Sequence, residues 1–238
     1  ITMMNELLAE NPADTNFWLL QTKAYVDEEM LLEAATNFEI LKGLGAATTS
    51  NIETLGRIYM KLEMPDLALE AFRSLADGAG KSKDAAIGAA ELFVKFRSFD
   101  QAAPLLADIR AGFSNQLTQE EELKVLNLQA KVARARGDID EALKMLNEVN
   151  RRDATDGEAL LELARLYGEQ GEFEQAVLKL EQAANLKDYR FQALVQHAQM
   201  LVSKRNYSEA VPLLREALDI KDDLRVRSYL DRVEDAAR

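Results

Sequence analysis

Apolar residues in this chain fall in short stripes spaced three, four and seven apart. In one set a small residue is followed four places on by a large apolar one, and three further on by another. The series reads Ala34, Phe38, Leu41; Ala68, Phe72, Leu75; Ala102, Leu106, Ile109; Ala142, Leu146, Val149; Ala176, Leu180, Ala183; and Ala210, Leu214, Ala217. Successive members lie 34 residues apart, except for one step of 40. A second set precedes each of these with the same step. It starts at Trp18, Ile52, Ala86, Leu126, Leu160 and Leu194, and four residues on reaches Thr22, Gly56, Ala90, Ala130, Ala164 and Ala198, all small. Three further on stand Tyr25, Tyr59, Phe93, Ala133, Tyr167 and Leu201. These spacings put each set on one face of a helix, so each unit is predicted to be two short amphipathic helices. The small residues let two helix backbones cross closely, where a long side chain has no room.

Helix ends are marked as well. Gly137 and Gly171 stand between the two helices of their units, where a left-handed residue ends the first. Asp138-x-x-Glu141, Ser98-x-x-Gln101 and Asn206-x-x-Glu209 are capping patterns for second helices, and Thr118-x-x-Glu121 and Thr155-x-x-Glu158 for first helices. Pro65 falls where a first-turn proline is tolerated. The step of 40 holds an insertion, Gly112-Phe113-Ser114-Asn115-Gln116-Leu117. Its Phe113 and Leu117 read in two ways, as packing across the Thr118 cap or as a local contact for a partner.

Composition supports a helical, folded chain: 47% of 238 residues are hydrophobic, 29% are charged, and there are only 11 Gly and 4 Pro. The net charge of −12 disfavours nucleic acid and anionic membrane as partners. With no cysteine, disulfides, thiol nucleophiles and zinc–thiolate sites are excluded. No run of about 18 apolar residues is present, so no direct membrane insertion is expected. Compartment is left open between the cytoplasm and a bacterial cell envelope. The chain opens with Ile1 in a mid-helix pattern, which reads as a piece cut from a longer protein.

Chemistry finds little to build on. The single histidine, His197, shares a packing frame with Leu55, Ala89 and Leu163, and no nucleophile or orienting carboxylate accompanies it. No HExxH, GxGxxG or P-loop pattern occurs. The acidic run Gln119–Glu122 opens a helix, where negative charge suits the helix dipole. The expectation is therefore a non-enzyme, with no metal and no cofactor.

A 34-residue period with Ile52, Leu55, Gly56 and Tyr59 in a first helix and Ala68, Phe72 and Leu75 in a second resembles the tetratricopeptide repeat. Leu160, Leu163, Ala164, Tyr167, Gly171, Phe173 and Ala176 carry the fuller form, and Pro12 falls six residues before Trp18 where the family often places a proline. Gln21 departs from the pattern, standing where leucine is usual, as do Ala133 and His197. The resemblance implies an all-α, right-handed α-α superhelical solenoid forming one domain over 1–238. Residues 1–14 are a truncated repeat helix, 15–224 six repeats, and 225–238 a capping helix.

It also implies a protein–protein interaction scaffold whose first helices line a concave groove. On that reading the groove offers Lys23, Arg57, Met60, Lys61, Ile87, Val94, Lys95, Asn127, Lys131, Arg134 and Arg165 to a peptide. Of 24 groove frames, seven are basic and four acidic, an excess of basic charge for a chain with 29 basic and 41 acidic residues. An acidic protein or peptide partner follows from that stripe, while cross-helix salt bridges would account for it equally. The carboxylate clamp of chaperone-binding members is not expected, because its frames hold Leu19, Lys23, Thr54, Asp84 and Gly88. Two further readings stay open: a homodimer through the N-terminal end, with the chain a self-assembling adaptor, and the regulatory part of a larger enzyme.

Overall fold

The computed structural model describes residues 1–78 and 81–237. Residues 79 and 80 of the second repeat and Arg238 of the closing helix lie outside the described residues. The fold is all-α, with fourteen helices and no strand among the described residues. The chain divides into two compact units, 1–136 and 137–238.

In unit 1, α1 (Thr2–Glu10) precedes three antiparallel pairs: α2 (Thr15–Asp27) with α3 (Leu31–Gly43), α4 (Thr49–Lys61) with α5 (Pro65–Asp77), and α6 (Lys83–Lys95) with α7 (Phe99–Gly112). Helix α8 (Gln119–Ala135) packs on α6 and α7. In unit 2, α9 (Ile139–Arg152) packs on α10 (Gly157–Gln170), which pairs with α11 (Phe173–Ala184). Helix α12 (Arg190–Ser203) pairs with α13 (Tyr207–Ile220), and α14 (Leu224–Ala237) lies on α13. The two helices expected of the fourth repeat, α8 and α9, thus belong to different units.

The second-helix set is buried throughout, whereas Trp18, Tyr25, Leu126, Ala133 and Leu201 of the first-helix set are only half-buried, and α8 turns Val125, Leu128 and Val132 into the core instead. Ala34, Ala68, Ala102, Ala142, Ala176 and Ala210 are completely buried. In unit 1 Phe72 and Phe93 meet edge-to-face, with ring centroids 5.5 Å apart and planes at 83°. Gly56 is small for a reason visible here: a Cβ on it would lie 2.2 Å from the Phe72 ring. Phe113 is buried and Leu117 partly so in the same core, with the Lys81 ammonium 4.8 Å from the Phe113 ring centroid. The two apolar residues of the insertion thus pack into the core, while Ser114, Asn115 and Gln116 between them are exposed.

The helix ends agree with the sequence in part. Thr118 and Glu121 form a full capping box, and Glu121 also accepts from Lys83 at 2.8 Å, which holds its carboxyl down at about 2. Asp138 caps α9, and Pro65 opens α5. Ser98 and Asn206 cap without a side-chain hydrogen bond. Helix α10 starts one residue later than expected. The Thr155 hydroxyl donates to Asp153 at 2.7 Å, and Asp156 accepts from the Ala159 amide at 2.9 Å instead.

Gln21 finds its explanation in a polar ladder. Its amide donates to Asn5 at 2.6 Å, and its carbonyl accepts from Asn37 at 2.9 Å. Gln21 and Asn37 are both buried, so the ladder joins α1, α2 and α3 through satisfied groups. Gln21→Leu is expected to destabilise unit 1 by about 1–3 kcal/mol, because it strands the Asn37 amide without a partner. Adding Asn37→Leu should recover most of that loss in urea melts, since both polar partners are then gone.

Candidate functional site

A groove of about 670 Å³ opens in unit 2 between α10 and α12. Helix periodicity builds its walls. Residues 158, 161, 162, 165, 168 and 169 fall on one face of α10, and 192, 195, 196, 199 and 203 on one face of α12. Of the eight first-helix frames assigned to a groove in these two repeats, the cavity is lined by Leu161, Arg165, Gly168, Glu169, Val195, Gln199 and Ser203. Val202 is the exception among the described residues.

The floor is apolar: Leu161, Ala164, Val195 and Met200, with Phe191 from the first turn of α12 and Phe173 from the start of α11. Gln196 ties the walls together by donating to the Leu161 carbonyl at 3.1 Å. Gly168 keeps the groove open. A Cβ there would sit 3.9 Å from the Met200 sulfur, in ordinary contact, so any larger side chain grows into the cavity. The αL residue Gly171, at φ +82, ends α10 and lets Phe173 follow at the start of α11. The Lys204 ammonium stands 3.3 Å from the Phe173 ring centroid, and Lys221 5.4 Å from that of Phe191.

Charge in this groove differs from the expected basic stripe. Among the described residues that line it, Arg165 is the one cation, against Glu158, Glu162 and Glu169. Arg165 is itself held by Glu162 at 3.3 Å. The acidic balance was missed because six repeats were averaged into one frame, and the cations of that frame lie mostly in unit 1.

In unit 1, Lys23, Arg57, Lys61 and Lys95 are exposed, and Lys61 reaches Glu29 at 3.7 Å. Asn127, Lys131 and Arg134 are half-buried on α8, and each already has an interaction partner. Met60 and Ile87 are corrections: both are buried in the unit 1 core, so neither offers an apolar surface to a partner. Their frames sit next to packing positions, and α4 and α6 turn those residues inward. Val94 is half-buried against the same core.

His197 is half-buried on α12 and does not line the groove. Burial pushes its pKa below 6.5, while Glu181 and Glu209 pull the other way. The folded state therefore disfavours the charged ring, and unit 2 loses stability as pH falls from 6.5 through the lowered folded value. His197→Gln is expected to flatten this part of the pH dependence, read as melting temperature between pH 7 and about 5.

No helix among the described residues is long and apolar enough to cross a membrane. A comparison with curated proteins gives no match. A family model described as the ARM repeat of tetratricopeptide repeat protein 21 matches residues 60–171, and one described as tetratricopeptide repeat matches 159–188. Among solved structures, the C-terminal part of a TPR repeat-containing protein from Cytophaga hutchinsonii aligns with a TM-score of 0.63 at 15% identity, over 95% of this chain and 92% of that one. Pseudomonas aeruginosa pilF aligns at 0.57 and 12% identity, over 94% and 99%. YrrB, described as a TPR protein with an unusual peptide-binding site, aligns at 0.50 and 19% identity, over 80% and 95%. At these identities the structures share the fold, and the two family models together run from 60 to 188, more than half of the 238 residues. With its 34-residue period and paired helices, the chain belongs to the tetratricopeptide-repeat family.

Proposed function

We propose that this chain is a non-catalytic scaffold whose unit 2 groove holds a short segment of a partner protein. Repeats of this family are commonly protein-interaction scaffolds, and YrrB is described with a peptide-binding site of its own. The groove between α10 and α12 carries the reading. Its 670 Å³ lie within the range of ligand sites, and its lining joins an apolar floor to a polar rim, the usual make-up of a binding cleft.

The test uses a peptide-display selection on the whole chain. Binders are expected to lose at least about tenfold in affinity against Gly168→Trp, about 1.4 kcal/mol or more. They should keep their affinity for the double variant Arg57→Glu, Lys131→Glu. Gly168→Ala serves as the folding control, since its methyl meets only ordinary contact. Binders that tolerate Gly168→Trp but are lost with the unit 1 double variant would overturn the groove assignment.

A further inference from the structure

Resting on that reading, we infer that the segment held in the unit 2 groove is uncharged where it enters and is anchored by an aromatic side chain seated in a notch at Gly168. The repeat itself shows the notch. One first-helix frame holds Val26, Met60, Val94, Arg134, Gly168 and Val202, spaced 34 residues apart with the same single step of 40. The fifth repeat alone has no side chain there. Glycine weakens a helix, and this one lies in the last turn of α10, before the left-handed end at Gly171, where the backbone does not call for it. Packing does not call for it either. A Cβ on Gly56 would strike the Phe72 ring, whereas one on Gly168 would meet the Met200 sulfur at 3.9 Å, an ordinary contact. The space that a side chain fills in the other repeats is here part of the cavity.

The walls of the notch choose the anchor. Met200, Phe173 and Phe191 line the same cavity, and all three are half-buried. A thioether sulfur and the edges of rings attract a further aromatic ring beyond what its buried area alone supplies. The cation sites of these rings are already taken. Lys204 stands 3.3 Å from the Phe173 ring centroid and Lys221 5.4 Å from that of Phe191, and neither lysine is among the described residues lining the cavity.

Charge in the groove is answered within the protein. Glu158, Glu162 and Glu169 each have an interaction partner, and Arg165 is bound to Glu162 at 3.3 Å. An entering ion of either sign has to displace one of these pairs or shed its water beside an apolar floor, and both cost affinity. The polar groups left over are neutral. Gln192 and Gln199 are exposed on the lining face of α12, and their carboxamides have no partner among the described residues. A carboxamide both donates and accepts, so it meets a peptide backbone without a charge. A neutral, aromatic segment thus replaces the acidic partner that the averaged stripe suggested.

The experiment sequences the Gly168-dependent binders from the display selection and remakes the commonest as a synthetic peptide. Phenylalanine, tyrosine and tryptophan should be enriched in the selected set over the starting library, with neither sign of charge enriched. Changing the peptide's aromatic residue to leucine should weaken binding at least about fivefold. Gly168→Val, which gives the fifth repeat the residue of the first, third and sixth, should weaken it at least about tenfold. Affinity for the unchanged chain should fall by no more than about twofold between about 50 and about 500 mM salt, because no ion pair forms across the groove. The leucine peptide and the salt series carry the test if Gly168→Val melts early. Gly168-dependent binders enriched in either charge, an affinity that falls further with salt, or full binding by the leucine peptide or by folded Gly168→Val would overturn the inference and leave the groove reading standing. Binders that ignore Gly168 would overturn both.

Discussion

Phe72→Ala is expected to destabilise unit 1 by about 3–5 kcal/mol, among the largest losses a single substitution can cause there. The ring is almost fully buried, meets Phe93 edge-on, and fills the crossing of α4 and α5 over Gly56. Removing it deletes the transfer gain of the ring and leaves a cavity beneath a glycine. Gly56→Ala alone should cost about 1–3 kcal/mol, because its new Cβ would fall 2.2 Å from the ring. The two losses should not add. In the Phe72→Ala background the methyl on residue 56 enters vacated space, so the second substitution should cost little or even stabilise. Urea melts of the four proteins of this cycle give the coupling directly, and strict additivity would mean that Gly56 and Phe72 do not share the crossing.

A gain of similar scale is expected from glycine at the left-handed helix ends. Glu29, Glu63 and Arg97 adopt φ of 56°, 59° and 60° at the ends of α2, α4 and α6, and Arg205 adopts 61° after α12. Each is the turning residue of a Schellman end. The next amide bonds back to the carbonyl of the aromatic frame, as Met30 does to Tyr25 and Met64 to Tyr59, both at 2.8 Å. A side chain in this conformation costs about 1–2 kcal/mol, and glycine returns about 0.4–1 kcal/mol of that through the unfolded chain. The triple variant Glu29→Gly, Glu63→Gly, Arg97→Gly should therefore stabilise unit 1 by about 2–3 kcal/mol. The exposed Glu29–Lys61 pair lost on the way is worth little. Glu28→Gly, one residue earlier at φ −89°, should destabilise instead. Equal effects at 28 and 29 would remove the left-handed geometry as the cause.

These four ends show how legibility in the sequence depends on residue type. Gly137 and Gly171 announced themselves because glycine is the residue that suits φ above zero. Glutamate and arginine carry no such mark. Their positions were nonetheless readable from the period, since 29, 63, 97, 137, 171 and 205 follow one another at 34 residues with the same single step of 40. The alanines of the helix crossings were legible for a similar reason: packing imposes size at a fixed frame, and size is visible in the sequence. The Asn5–Gln21–Asn37 ladder was not, because its partners lie 16 residues apart on different helices and no fixed frame joins them. Ser98 and Asn206 mislead in the opposite sense, having the right spacing without the bond.

The groove was half legible. The family resemblance, carried along the chain by helical spacing, named seven of the residues that line it on α10 and α12, and left out Glu158, Glu162, Ala164, Phe191, Gln192, Gln196 and Met200 of the same helices. Its charge was hidden by summing the same frame over both units. Lys23 and Arg57 belong to unit 1, whereas Glu158 and Glu162 stand beside Arg165 in frames not counted as groove positions. Met60 and Ile87 were misread because neighbouring frames on a narrow helix alternate between groove and core, and packing of the paired helix decides which wins.

The central claim is that a partner segment enters the unit 2 groove, and methionine methyl signals can test it with little ambiguity. The chain has seven methionines, of which Met200 lines the groove, Met60 is buried in unit 1, and Met3, Met30 and Met64 are exposed. Titrating the selected peptide into chain labelled at its methionine methyl groups should shift Met200 strongly and leave Met30, Met60 and Met64 in place. Shifts at the unit 1 methionines, with Met200 unmoved at saturation, would contradict the account.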